Sequence, residues 1–240
     1  MLLRIIAVPV VLLAAVVLGL GYLGLVPGVA SVFGSDKPRD LGVKAAQADL
    51  QSANAKTGVK LVELPPSSTP QGSIKYSGQI PVNNSFTDEE LTALAGNSKW
   101  KFNPFQNVQI KIGDDGTLEA SGILRVERLQ GYATATGVSS ETVNMVMDKL
   151  KVVPNSTPPF YIKGTGSVVN NRVSADVQQL EVGRFSVPSN LISDNKGAIT
   201  SFLNDKITKI PGLSVKSATL SNGTIKFDGT LPESEATVRQ

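Results

Sequence analysis

Three tight-turn signals, each set between runs of alternating apolar and polar residues, constrain this 240-residue chain more than anything else in it. Gly113-Asp114-Asp115-Gly116 separates Val108, Ile110 and Ile112 from Leu118, Ala120, Leu124 and Val126. Asn170-Asn171 separates PFYIKGTGSVV from RVSADVQQLEV, and Ser221-Asn222-Gly223 separates LSVKSATL from TIKFDGTL. Gly and Asn tolerate the positive φ that short turns demand, so each signal predicts a β-hairpin. Alternation with period two gathers the apolar residues on one face, which predicts an antiparallel sheet with one buried side. In the second hairpin the parity slips from Val173, Ala175 and Val177 to Leu180 and Val182, predicting a bulge near Gln178 and Gln179. An earlier strand is expected through Ile74, Tyr76, Ile80 and Val82.

Helical periodicity separates these strands. Val43, Ala46, Leu50 and Ala53 recur at helical spacing, with Gly58 placed to close that element in a left-handed cap. Thr87 to Glu90 is a capping box that opens a short helix through Leu91 and Leu94. Glu141 to Leu150 presents Val143, Val146, Met147 and Leu150 on one face. The longest helix is expected from Asn190 to Ile210, with Ile192, Ile199, Phe202, Leu203, Ile207 and Ile210 as its apolar stripe and Pro211-Gly212 as its stop. The expected fold is therefore α+β: a curved antiparallel sheet of three hairpins packed around or against amphipathic helices.

Before this domain, the chain from Ile5 to Val26 carries no charge. At about 1.5 Å per residue, a helix of about 22 residues crosses a hydrocarbon core of ~30 Å. Pro9, Gly19, Gly21 and Gly24 are costly in a soluble helix and tolerated in a membrane span. The expected organisation is an N-terminal transmembrane anchor over residues 1–32, a juxtamembrane linker over 33–42 and a domain over 43–240. A cleaved signal peptide competes with the anchor, since Arg4 supplies a basic start and Gly28-Val29-Ala30 a small-residue site. Lys37, Arg39 and Lys44 follow the span and weigh against export by charge count. Long domains translocate largely regardless of such charges, so an extracytoplasmic domain is expected.

Composition narrows the chemistry. The chain has no Cys and no His, which excludes disulfides, thiolate metal sites, cysteine nucleophiles and the commonest general base. A formal charge of +3 without a dense basic block gives no nucleic-acid footprint, and no cofactor is implied. Ser193-Asp194-Asn195-Lys196 and Lys56-Thr57-Gly58 match short motifs of penicillin-binding enzymes, but two of those stations would share one serine and the third stands in the wrong order. Asp88, Glu89 and Glu90 suit the first turn of a helix, and Asp114 and Asp115 suit a turn. The sequons at Asn83, Asn155 and Asn222 read as chance, and Gly164-Thr165-Gly166 lacks the helix of a phosphate-binding loop. No catalytic or metal-binding residues are expected, and an enzyme is not.

What remains is apolar surface. Ile110, Ile112, Leu124, Val126, Ile162, Ile225 and Phe227 on the strands, with Ile199, Phe202 and Ile207 on the helix, are candidates to line a ligand cavity. An ordinary closed core is the competing reading for the same residues.

The closing helix and hairpin, IPGLSVKSATLSNGTIKFDGTLP from Ile210 to Pro232, resembles single-span bacterial envelope proteins of the LmeA-like and YpmS-like kind. These are similar in build to the tubular lipid-binding superfamily. The resemblance implies a highly curved sheet wrapped around a long helix, with an apolar tunnel for acyl chains and no catalytic residues to carry over. The expectation is a membrane-anchored envelope protein that binds or handles lipid, with basic residues near the cavity mouth meeting headgroups. The alternative is a structural adaptor that displays a packed domain to an envelope protein partner.

Overall fold

A computed structural model describes residues 37–66, 69–138, 157–183 and 185–239. The expected anchor and the expected Glu141 to Leu150 helix lie outside the described residues. No helix among those described is long and apolar enough to cross a membrane.

Each turn signal closes the hairpin it predicts. β4 (Phe105–Ile112) pairs with β5 (Thr117–Leu124), β6 (Pro159–Val169) with β7 (Arg172–Val182), and β9 (Ser214–Ser221) with β10 (Thr224–Leu231). Asn170, Asn171, Asn222 and Gly223 all take the positive φ their turns require. The predicted bulge is present, because the register shifts so that Lys163 faces Gln179 while Gly164 faces Val177. With β3 (Ile80–Thr87) the strands form one antiparallel sheet in the order β3-β10-β9-β6-β5-β4, and β7 continues from β6 to the short β8 (Phe185–Ser186). This sheet curves into a half-barrel.

The curvature has local causes. One edge of β6 pairs with β5 up to Thr165 and with β9 from Ser167 onward, so two arms of the sheet meet along a single strand. On β10 the register shifts between Asp228 and Gly229. A Cβ on Gly229 would stand 2.1 Å from the Ser214 carbonyl oxygen, so this bulge admits only glycine.

The strand expected from Ile74 to Val82 is two strands in two sheets. Gly78 (φ +66) turns the chain between β2 (Ile74–Ser77) and β3. β2 joins a small sheet in the order β1-β11-β2, with β1 at Lys60–Glu63 and β11 at Ser234–Thr237. There β1 runs parallel to β11, in a small second sheet that lies apart from the expected antiparallel one. The long helix is also divided, into α4 (Ser189–Asp194) and α5 (Lys196–Lys209). Asn195 interrupts it, its side-chain amide donating to the Leu191 carbonyl at 2.8 Å.

Among the described residues there are three further α-helices: α1 (Gln47–Thr57), α2 (Asp88–Gly96) and α3 (Leu129–Ala135). Gly58 caps α1 in the left-handed conformation, and the Thr87 to Glu90 capping box forms as expected. The core lies on the concave face of the half-barrel, where Phe86, Leu91, Ile110, Leu180, Leu203 and Phe227 are fully buried.

Side chains also close the open edges of the large sheet. On β4, Asp88 accepts from the Ile112 N–H at 2.8 Å and Thr92, one turn later on α2, accepts from the Ile110 N–H at 2.9 Å. On β7, Asn204 of α5 accepts from the Val173 N–H at 2.7 Å. Strand edges covered in this way resist pairing with other chains. Asp88 bears a cost for its role: burial raises its carboxyl from 3.8 to about 6, against the lowering effect of the Ile112 bond. A carboxyl raised on folding contributes stability below its unfolded pKa and loses that contribution as pH climbs through the folded value. Asp88→Asn keeps the acceptor and removes the titration. Its urea-unfolding stability is expected to fall less than wild type between about pH 4 and pH 6.5, and identical slopes would refute the assignment.

Candidate ligand cavity

Helix α5 lies across the concave face and divides the space beneath it. Ile199, Leu203 and Ile207, one turn apart, point into the sheet and are buried. Phe202, Lys206 and Ile210 form the neighbouring stripe, turned toward a small aromatic cluster around Trp100 and Tyr132. Each flank of the helix borders a cavity.

The smaller cavity, about 110 Å³, lies between α5 and strands β6, β7, β9 and β10. Ile162, Ile207, Ile225 and Phe227 line it, so the structure brings four of the ten expected cavity residues together there. Ile110, Ile112, Leu124 and Ile199 are instead buried in the closed core. Val126 is partly buried against that core, in a 3-10 turn after β5. Phe202 is partly buried and bridges the core and the Trp100 cluster.

The larger cavity, about 470 Å³, lies on the other flank. Besides α5, its walls come from four elements: Ile74 and Tyr76 of β2, Leu94 and Ala95 of α2, Phe105 and Val108 of β4, and Tyr132 and Ala135 of α3. Trp100 anchors the wall, its indole N–H donating to Ser73 Oγ at 3.1 Å and its ring lying 5.5 Å from that of Tyr132. Phe105 stands edge-on to both Tyr132 and Phe160, tying this wall to the first strand positions of β6. None of the ten expected residues lines this space.

Its charge is of one sign. Among the described residues Lys75, Lys206 and Lys209 line it, and no Asp or Glu does. Lys75 is exposed, and Lys209 pairs with Asp205 at 2.8 Å along the helix. Lys206 is only 5% exposed. Its Nζ donates to the Thr136 carbonyl oxygen and lies 5.1 Å from the centre of the Phe202 ring. Burial lowers its pKa from 10.5 to about 8, with Asp205 opposing the shift and Lys209 adding to it. One sequence signal could have located this site: Lys206 occupies a position four residues from both Phe202 and Ile210, within the apolar stripe of its helix.

Other motif residues have local partners. Ser193 Oγ donates to the Asn190 carbonyl oxygen, Lys196 pairs with Asp176 at 2.7 Å, and Lys56 pairs with Glu90 at 2.6 Å. Among the described residues no three His, Cys, Asp or Glu side chains are grouped to hold a metal ion.

On the convex face, the segment from Lys37 lies against the sheet. The Arg39 guanidinium stacks 4.1 Å above the Tyr161 ring and donates to Glu181 at 2.6 Å, and the Leu41 N–H donates to Gln109 at 2.7 Å. Tyr161 donates its hydroxyl to Glu119 at 2.6 Å, and burial together with that carboxylate holds the phenol ionisation well above its ordinary value.

No family model matches this chain, and neither a curated protein nor a solved structure does.

Proposed function

We propose that this chain is a membrane-tethered, non-catalytic envelope protein whose domain takes the apolar part of a lipid into the larger cavity. The supporting observation is that cavity itself: about 470 Å³, walled by aromatic and aliphatic side chains and rimmed by lysines. Its volume falls within the ~300–1,000 Å³ of small-molecule sites, and such a site is apolar with a few placed polar groups. In this reading the uncharged stretch from Ile5 to Val26 holds the domain at the outer surface of a bilayer, within reach of lipids.

Mass spectrometry of protein purified under native conditions tests the proposal. Wild type is expected to carry lipid, whereas Ala95→Trp and Ala135→Trp, which fill the cavity from α2 and α3, are expected to lose most of it while keeping wild-type circular dichroism. Consistently empty wild-type protein would sink the reading.

One observation favours the adaptor alternative. All four residues of β1 are exposed, and Leu61 and Val62, at 50% and 46% exposure, place apolar side chains on the outer strand of the small sheet. Photo-crosslinking from position 61 in cells would capture an envelope partner under that alternative and only lipid or nothing under the first.

A further inference from the structure

The buried ammonium of Lys206 restricts what the larger cavity can hold. Lysine has three N–H donors, and the structure gives one hydrogen bond for them, to Thr136. Among the described residues no carboxylate lies within ion-pair reach of its Nζ. An ammonium taken out of water without a counter-charge is unfavourable, and an anion brought to it removes that cost. Of the other lysines lining the cavity, Lys209 is paired with Asp205, and Lys75 adds positive potential at the exposed edge. The apolar wall beyond Lys206, at Leu94, Phe105 and Val108, offers nothing to a headgroup and suits a hydrocarbon chain. The volume, in the lower half of the usual range, suits one chain better than two.

Resting on the reading that this cavity takes up lipid, we propose that its ligand is a single-chain anionic amphiphile. Its carboxylate or phosphate monoester head is received by Lys206, and its chain runs past Phe105 toward Leu94 and Val108. Lys206 is thus a selectivity residue. It sorts anionic from neutral chains of the same length.

Titration calorimetry on the full-length chain in phosphatidylcholine nanodiscs, corrected with empty nanodiscs, tests this with four probes: dodecanoate, dodecyl phosphate, 1-dodecanol and inorganic phosphate. Wild type is expected to bind the two anionic chains about tenfold or more tightly than dodecanol, the size of a charge-assisted hydrogen bond. Lys206→Met is expected to bring that ratio to about one while leaving dodecanol affinity at or above wild type, and Lys206→Arg to restore much of the preference. Equal wild-type binding of dodecanoate and dodecanol overturns the role of Lys206 and leaves lipid uptake standing. Failure of all three chains overturns both readings. Phosphate binding as tightly as dodecyl phosphate overturns the amphiphile and leaves a bare anion site. If Lys206→Met does not fold, Lys206→Gln and the wild-type ratio decide the matter.

Discussion

Truncating Phe227 to alanine is expected to destabilise the domain by about 3–5 kcal/mol, the range of large aromatic deletions in a core that cannot collapse. Phe227 is 0% exposed on β10, a strand paired on both sides, to β3 and to β9. Its ring fits where Gly229 has no side chain, the ring's Cζ lying 3.2 Å from the Cβ position of that glycine. The neighbouring backbone is fixed by the bulge, so the sheet has little freedom to close over the vacancy. The new space would merge with the smaller cavity, which Phe227 lines. Urea unfolding should show a lower midpoint with an unchanged slope. A loss below about 1 kcal/mol would mean that the walls of the smaller cavity yield, contrary to the packing described.

Removing Lys56 is expected to produce the next largest loss. Glu90 is buried in the first turn of α2 and its carboxylate accepts three hydrogen bonds, from Lys56 at 2.7 Å, Ser52 at 2.5 Å and its capping partner Thr87 N–H at 3.0 Å, while the Lys56 ammonium also lies 2.6 Å from its other oxygen. Burial alone would raise its carboxyl, but the bonds from Lys56, Ser52 and Thr87 together hold it below the ordinary 4.5. Lys56→Met leaves that charge buried with two donors. The cost of breaking a fully buried pair is ~3–5 kcal/mol, and because the Lys56 side chain is 31% exposed the expected loss is smaller, about 2–3 kcal/mol. The sign of the pH dependence follows. A carboxyl lowered on folding contributes stability above its unfolded pKa and loses it as pH falls through the folded value. The penalty of Lys56→Met should therefore be full at neutral pH and shrink in acid, as Glu90 takes up a proton. A penalty that stays constant to pH 3 would show that Lys56 acts by packing alone.

The hairpins were legible because each depends on residues a few positions apart. Asn170, Asn171, Asn222 and Gly223 carry the left-handed conformation in their own chemistry, and the slip from Val177 to Leu180 registers the bulge without reference to any partner strand. Another bulge, at Asn107 and Val108 opposite Gly122, carried the same kind of signal in an asparagine with φ of 50°. The chain path between Tyr76 and Val82 was not legible, because alternation is the same whether the strand continues or changes sheets. What divides it is Gly78, whose absent Cβ would stand 2.7 Å from Glu233 Cβ, more than 150 residues away in sequence. Strands β1 and β11 were missed for a related reason: four exposed residues and Ser-Glu-Ala-Thr show no apolar rhythm, and their strand pairing is with distant segments, β1 with β11 and β11 also with β2.

Strand alternation relates residues along one wall of the smaller cavity. Ile162, Ile225 and Phe227 share the concave side of one sheet, and period-two alternation is sufficient to place them together. The larger space is enclosed by pieces of β2, α2, β4, α3 and α5, and no local pattern relates Ile74 to Tyr132 or Leu94 to Lys206. Only Lys206, a charge within an apolar stripe, marked its position in the sequence.

The clasp of Arg39 on Tyr161 and Glu181 has a mechanical consequence. Tyr161 and Glu181 lie on the convex side, and their neighbours Phe160, Ile162, Leu180 and Val182 point to the concave side that α5 covers. Tension arriving through the chain before Lys37 is therefore borne by β6 and β7, the longest paired strands of the domain, at the outer wall. Helix α5 and the larger cavity, whose described lining has no residue of β6 or β7, lie off that line of force, so a pull arriving before Lys37 loads a wall of the smaller cavity and spares the larger one.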